Sequence, residues 1–573
     1  MQDTYRNLNP AAWMGRRMKS LLNDRSQFDA HVRAVAENLL PRQSRFQTTD
    51  RNRGGNRNQN IIDSAGTQAL RVLSAGMMAG MTSPARPWIK LTVQDDDLAK
   101  DPEVKAWLAA CTRKMEKVFR KSNTYNMLHF TYRELGGFGT SCTITEDNFD
   151  RVIHHAPMTF GEYALGLDHE GSVNTVGRDF ELSVEQAIAW FGKAPLSQTA
   201  QSAYANGNYD AKVTVRHIIE PRTDRDPSKM DARNKAWKSC YVELGREGAI
   251  EQNGGYLRES GYRFFPGLCP RWDVLFNDTY GSSPGMEALG DLLQLQQEQY
   301  RKSQAIDYMA DPPLQVPVQL RNSGADLLPG GVSYYDGSGP NSGIRSAFEV
   351  KLDLQQLLGD IGEVKQRINS AFYADMFLML SNIDHTGMTA TEVAERHEEK
   401  LLLLGPVIER LHTELLEPLV LSTFTRMVEA DITPPVPEQL SGHPLEVEFI
   451  STLAQAQRAV GVNSIDRLIG HIGVLANAKP EVVDNYDADA SVERYADMLG
   501  VDPDLIVPGD KVALVRQDRA KAQAAAQAAE NADKAAGAMA KMGTISTGPE
   551  SNAGSDILSL FSGYNSPSTT ELG

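Results

Sequence analysis

The sequence predicts a mainly α-helical protein with one β-rich region, and three observations carry that expectation. Two long stretches, Ser283 to Ala310, with no proline after Pro284 in its first position, and the run that begins near Leu352, read as helices. Between Thr140 and Arg271, β-branched and aromatic runs are separated by Gly, Asp and Asn, the punctuation of strands and turns. Residues 511–541 contain thirteen alanines among 31, a strong helix-forming composition.

With 573 residues, 41% of them apolar and 23% charged, the chain suffices for about three or four folding units. No stretch approaches the roughly 18 uninterrupted apolar residues of a membrane span, and the first 30 residues carry Arg6, Arg16, Arg17 and Lys19 with no apolar run behind them. Secretion and membrane insertion are not expected. Cys111, Cys142, Cys240 and Cys269 form no CxxC pair and have no histidine at metal-ligand spacing, so they read as reduced thiols. Lys and Arg total 58 against 74 Asp and Glu, a formal charge of -16. That balance argues against a broad basic grip on nucleic acid; it suits plain solubility, or a surface that faces DNA without holding it. Residues 1–60 reverse the trend, with eleven Lys or Arg against five Asp or Glu, ending in the polar stretch Arg51–Asn60.

From Ile61 to Met81 an Ala-, Leu- and Met-rich helix carries a GxxxG pair at Gly76 and Gly80, which reads as close soluble helix packing. A further helix spans Pro102 to Ser122. Phe160–Leu167, a turn at Asp168–Gly171 and a return strand ending at Leu182 form a hairpin, and Ser183 with Gln186 makes a capping box for the helix after it. Ser283 caps a helix with Pro284 in its first position, and Asp311-Pro312-Pro313 stops it after roughly 40 Å. Its middle, Gln294–Gln304, is polar nearly all round, so the helix needs lateral neighbours or a wet cavity. In the helix after the Pro- and Gly-rich segment Asp311–Glu349, Leu354, Leu357, Ile361, Val364, Ile368 and Ala371 recur at three- and four-residue steps, opposite Gln356, Asp360, Glu363 and Arg367. A monomeric bundle surface has the same pattern. The polar loop Ser381–Met388 precedes a capping box at Thr389 and Glu392, which opens a helix interrupted at Gly405-Pro406 and at Pro418. Leu445–Thr452 alternates like a strand, mainly helical sequence continues to about Leu499, and the last thirty residues read as disordered.

No catalytic or cofactor constellation stands out. Gly136–Ser141 lacks the lysine and the following helix of a phosphate loop. Gly281–Gly285 fits the G-x-S-x-G nucleophile elbow, but the residue after Ser283 is Pro284, which has no N–H for an oxyanion hole. The adjacent His154 and His155 would point to opposite faces of a strand, and Asp95–Asp97 reads as a solvated loop.

Four segments in order, Ser64–Trp88, YGSSPGMEALGDLLQLQ from Tyr280, TATEVAERHEEKLLLLGPVIERL from Thr389 and EFISTLAQAQRA from Glu448, resemble the portal, or head-to-tail connector, proteins of short-tailed phages. The resemblance extends over roughly residues 10–510. It implies a portal fold of wing, stem, clip and crown: an N-terminal wing with the β-rich part (1–282), stem helices (283–310 and 351–380), a clip (311–350), a channel loop (381–388), a kinked wing helix with the crown base (389–508), an Ala-rich crown helix (509–541) and a tail (542–573).

It further implies a non-enzymatic homo-oligomer, a dodecameric ring at one capsid vertex, assembled in the host cytoplasm and conducting double-stranded DNA during packaging and ejection. The implied partners are a terminase ATPase, major capsid and scaffolding proteins and tail adaptors, with no cofactor and no membrane. Gln356, Asp360, Glu363, Lys365, Arg367, Asn382, His385 and Met388 are then the channel candidates, Asp360 and Glu363 as a repulsive wall and Lys365 or Arg367 as a sparse basic ring. Arg321, Tyr334 and Tyr335 are the clip contact candidates. Another structural virion protein, an internal head protein or tail adaptor, is the alternative reading.

Overall fold

A computed structural model describes residues 10–46, 55–95, 98–99, 101–229, 231–245, 255–275, 278–317, 328–335, 345–346, 354–381, 404–440, 444–450, 468–475, 479, 481, 486–492, 507, 509–542, 546–548 and 551–552. The chain divides into two units, Met1–Val460 and Gly461–Gly573.

In the first unit the elements run α1 (Pro10–Leu39), α2 (Ala65–Met81), β1 (Ile89–Val93), α3 (Pro102–Lys121), α4 (Thr124–Phe138), β2 (Cys142–Asn148), β3 (Val152–Met158), β4 (Tyr163–Leu167) and β5 (Val173–Ser183). Then come α5 (Val184–Phe191), α6 (Gln198–Ala205), β6 (Lys212–Pro221), β7 (Trp237–Glu243), β8 (Arg258–Tyr262), β9 (Gly267–Leu268), α7 (Pro284–Glu287) and α8 (Leu289–Ala310). The unit closes with β10 (Leu314–Pro317), β11 (Val332–Tyr335), β12 (Arg345–Ser346), α9 (Leu354–Ala371), α10 (Ala374–Ser381), α11 (Glu417–Glu429) and β13 (Leu445–Phe449).

The β-rich expectation resolves into an antiparallel five-stranded sheet in the order β4-β5-β6-β7-β8 and a three-stranded sheet β3-β2-β9. The predicted hairpin is β4–β5, and Ser183 and Gln186 form the reciprocal capping box at the start of α5. β1 pairs with β13 across most of the unit's sequence, Ile89 opposite Phe449. His155 is buried with its ring nitrogens 3.0 Å from the hydroxyls of Thr124 and Thr145, while His154 faces out, as alternation along a strand requires. Burial, with the nearby Arg426 charge, pulls the His155 pKa down to about 3, so the ring is neutral.

One apolar core joins α2, α3, α4, the start of α8, α9, α10 and α11, with Leu70, Leu73, Phe119, Phe138, Leu292, Ile368 and Leu419 all inside it. Gly136 and Gly137 belong to the last turn of α4, and Gly139 ends that helix in the left-handed region at φ 72°, so the glycines of this segment serve a helix end. The GxxxG helix packs within the same chain: a β-carbon on Gly76 would lie 2.2 Å from the Phe377 ring of α10.

The helix expected from Ile61 begins instead at Ala65, because the backbone of residues 62 and 63 bonds to another helix, described below. The interruption expected at Pro418 takes the form of a π turn: residues 404–411 are helical, His412–Leu416 form the π turn, and α11 follows. Pro418 has no N–H to give and its ring crowds the carbonyl four residues back; widening the preceding turn accommodates both without ending the helix. The capping box at Thr389 and Glu392 lies outside the described residues.

In the second unit the Ala-rich segment is a helix, α12 (Gly509–Met542), with none of its described side chains buried and Arg516 paired to Asp489.

Replacing Gly76 by leucine should force α2 and α10 apart and lower stability by about 1–3 kcal/mol. The midpoint of thermal unfolding would register the loss, and an unchanged midpoint would contradict this packing.

Candidate functional site

The long polar helix starts from a buried anchor. Ser283, fully shielded from solvent, accepts the N–H of Met286 at 3.0 Å and donates its hydroxyl to the Gly137 carbonyl at 2.9 Å. Both bonds use the oxygen that a nucleophile would need, and Pro284 follows as the sequence requires, so Ser283 is a helix cap. α7 and α8 meet at Ala288, and α8 runs on to its expected stop at Asp311.

α9 returns alongside α8. Arg367 donates to Asp291 at 2.9 Å and to Gln294 at 3.1 Å, near the start of α8; Lys365 and Gln299, farther along, share one carboxylate. Those pairings make the two helices antiparallel. The apolar stripe read from the sequence is the packed face: Ile361, Val364 and Ile368 are buried, and Leu357 and Ala371 pack against the core. Burial is confined to one end of the pair. Past Gln296 no residue of α8 is buried, and before Ile361 no described side chain of α9 is.

The carboxylate shared by Lys365 and Gln299 belongs to Asp63, just before α2. Its Oδ2 takes Lys365 Nζ and Gln299 Nε2, both at 2.8 Å, while Oδ1 accepts the N–H of Ala65 at 2.9 Å. Gln296, 8% exposed, completes the tie: its Oε1 accepts from the backbone of Ile62 and Asp63, and its Nε2 donates to the Asp63 carbonyl. Three segments are thereby fastened at one point. Burial alone would raise the Asp63 pKa, but the Lys365 ammonium and the Ala65 and Gln299 donors outweigh it and hold the carboxyl below its ordinary value.

Of the channel candidates, Gln356, Asp360 and Glu363 are exposed along one line of α9, at the four- and three-residue steps that share a helix face. Lys365 and Arg367 are committed to Asp63 and Asp291. Arg367, hydrogen-bonded to Asp291 and near Asp360 and Glu363, is held above its ordinary pKa. Asn382, His385 and Met388, and Arg321 of the clip set, lie outside the described residues. Between the two helices, β10 pairs in parallel with β11 and antiparallel with β12; Tyr334 is half-buried on β11, and Tyr335 ends that strand.

A second junction was not visible in the sequence. Arg271, with its side chain only 6% exposed, donates to both carboxylate oxygens of Glu414, to the carbonyl of Asp278 and to that of Gly171. It joins the π turn, the β4–β5 hairpin tip and the approach to α7. Nothing in the spacing of Arg271 and Glu414, or of Asp63 and Lys365, distinguishes them from surface charges; only the fold brings them together.

The description of bacteriophage head to tail connecting proteins matches residues 13–507. The chain belongs to that family. It is 54% identical over 98% of its length to all of the probable portal protein of Bordetella phage BPP-1. To the portal protein of Salmonella phage epsilon15 it is 42% identical, over 90% of this chain and 92% of the relative. Portal function follows from this membership. Among solved structures, the neck of an empty gene transfer agent particle aligns with 78% of this chain and 96% of its own at 12% identity and a TM-score of 0.35, a likeness too loose to carry a structural argument.

In this portal-family chain, Asp63→Asn should loosen the tie between the segment before α2 and both long helices at a cost of about 1 kcal/mol, the discounted value of a partly exposed charged hydrogen bond. The folded-state pKa lies below the ordinary value, so the stabilisation is complete above roughly pH 4 and is lost as pH falls through the depressed value. Thermal unfolding followed from pH 6 downward should show that loss in the natural protein, and the Asp63→Asn protein should lack this component.

Proposed function

We infer that the chain is the subunit of a ring, a dodecamer in the family pattern, that stands at a capsid vertex and conducts double-stranded DNA. The single observation that carries the reading is the bare outer part of the α8–α9 pair. Residues 297–310 of α8 and 354–360 of α9 extend beyond the buried end with no buried side chain among those described, and helices of that polarity gain their stability from packing. Identical copies flanking one another around a wet pore supply lateral neighbours on two sides and water on the third. Heterologous contacts of this kind form a ring when the rotation between copies closes.

In this reading, 283–310 and 351–380 are the stem, 311–350 with its small sheet is the clip that meets terminase and later the tail adaptors, and 381–388 is the channel loop. The wing is 1–282 with 389–508, the latter including the crown base; 509–541 is the crown helix, and 542–573 is the tail. The capsid and scaffolding proteins meet the ring from outside, and the chain contributes structure without catalysis.

Asp360 and Glu363 form the wall that DNA passes. Lys365 and Arg367 already neutralise carboxylates of their own subunit, so the exposed line of α9 offers phosphates no unpaired cation beside Asp360, and the retarding attraction of each phosphate contact is avoided. The ion pairs therefore favour a repulsive wall over the basic ring that Lys365 or Arg367 would otherwise provide.

Electron microscopy of the purified full-length protein should show closed rings with a central hole, and monomers or filaments in their place would defeat the reading. Asp360→Lys with Glu363→Lys should leave the rings intact and slow DNA filling of particles several-fold, most strongly at low salt. Filling at the natural rate would remove the repulsive wall.

A further inference from the structure

Two cysteines that the portal function does not use face each other in the core. β2 pairs with β9 so that Thr143 lies opposite Leu268 and Ile144 opposite Gly267, which sets Cys142 opposite Cys269. The backbone bonds Ser141 N to Pro270 O and Thr145 N to Pro266 O mark the hydrogen-bonded positions of the ladder. These alternate, so 142/269 is a non-hydrogen-bonded pair, the kind in which Cα atoms come within about 4.5 Å and side chains stand closest. That separation falls inside the range disulfides span. The sulfurs are 3.4 Å apart and unbonded, and both residues are buried, Cys142 at 0% and Cys269 at 4% exposure.

We propose that Cys142 and Cys269 are a redox-sensitive pair that closes to an intrachain disulfide when a hydroperoxide reaches them, stapling the base of the β-rich region. The two positions are 127 residues apart, and the chain between them contains β3, the whole five-stranded sheet, α5 and α6. A bond there shuts the neck of that excursion.

The chemistry balances with hydrogen peroxide as oxidant. One thiol gives up its proton and its sulfur attacks a peroxide oxygen; the O–O bond breaks, one water leaves, and a sulfenic acid remains. The second sulfur then displaces the hydroxyl from the sulfenic sulfur, and its proton departs with that hydroxyl as a second water. Two thiols and one peroxide become one disulfide and two waters. Burial holds the Cys269 thiol well above its ordinary pKa, so little thiolate exists at neutral pH and the first step is slow. The second is fast by comparison because its partner is already in van der Waals contact, which favours the disulfide over sulfinic acid. Cys111 and Cys240 are also buried and serve as internal controls.

The test uses the reduced full-length protein treated with millimolar hydrogen peroxide under native conditions, quenched, then denatured, alkylated and digested without reductant. Mass spectrometry should find the Cys142 and Cys269 peptides joined, lighter by two hydrogens and separated again by dithiothreitol, with Cys111 and Cys240 alkylated. Thermal unfolding of the oxidised protein should shift upward by several degrees, and Cys269→Ser should show neither link nor shift. The proposal is overturned if both cysteines are recovered alkylated or as separate sulfinic acids, if either links to Cys111 or Cys240, or if the pair forms only when peroxide is added in denaturant. These outcomes are read on the natural chain and stand whether or not the variant folds.

Discussion

A helix that projects beyond its own hydrophobic core must find cover elsewhere, and this constraint governs the α8–α9 pair. Near its start α8 contributes Leu292 and Leu295 to the core, and over its second half α9 contributes Ile361, Val364 and Ile368. Outside that zone no described side chain of either helix is buried. Backbone hydrogen bonds satisfy the helices internally, but a two-helix contact leaves most of each circumference in water, and propensity contributes little to a segment of this composition. The buried end therefore acts as a foundation, and its rigidity decides how far the outer parts can hold a fixed direction.

Three polar ties reinforce that foundation, and each costs desolvation that only good geometry offsets. Ser283 seats the helix start on α4. Asp63 and Gln296 fasten the segment before α2. Arg271 and Glu414 tie the approach to α7 to the π turn that Pro418 imposes on the helix before α11. The guanidinium is nearly buried yet has a carboxylate and two carbonyls to receive its donors, so the pair is a satisfied network and not a stranded charge. A π turn projects Glu414 at an angle that an α turn would not, which gives the irregularity a structural reason.

Much of this was legible in the residues, and the boundary of legibility has a physical cause. Local signals act over a few positions and survive folding: the Ser283 cap, the Ser183–Gln186 box, the β4–β5 hairpin and the three-and-four stripe of α9 all appear where the spacing puts them. Signals that depend on a partner far along the chain do not. Ile61 to Ser64 has helix-forming composition, but Gln296 offers its backbone better acceptors and donors, so α2 starts late. Pro418 reads as an interruption, and the form it takes, a π turn, is not written in the local residues. Lys365 and Arg367 read as cations for a ligand, and the fold spends them on Asp63 and Asp291, partners 302 and 76 residues away.

That last difference alters the electrostatic reading of the site. An amphipathic helix with mixed charge on its outer face could hold DNA or repel it, and sequence alone leaves the balance open. Intramolecular pairing shifts that balance one residue at a time. Each cation drawn inward to a carboxylate is subtracted from the outer face, while Asp360 and Glu363 remain exposed one helical turn apart. In the proposed ring, symmetry would turn an arrangement that is nearly neutral within one subunit into a ring of like charge at one height along the pore. Field lines from such a ring would be focused where the low-dielectric walls are closest, so its effect on a passing phosphate would exceed what the same two carboxylates exert on an open surface. The acidic balance of the chain, unremarkable as a bulk property, gains a direction once the ion pairs fix which side of the helix carries it.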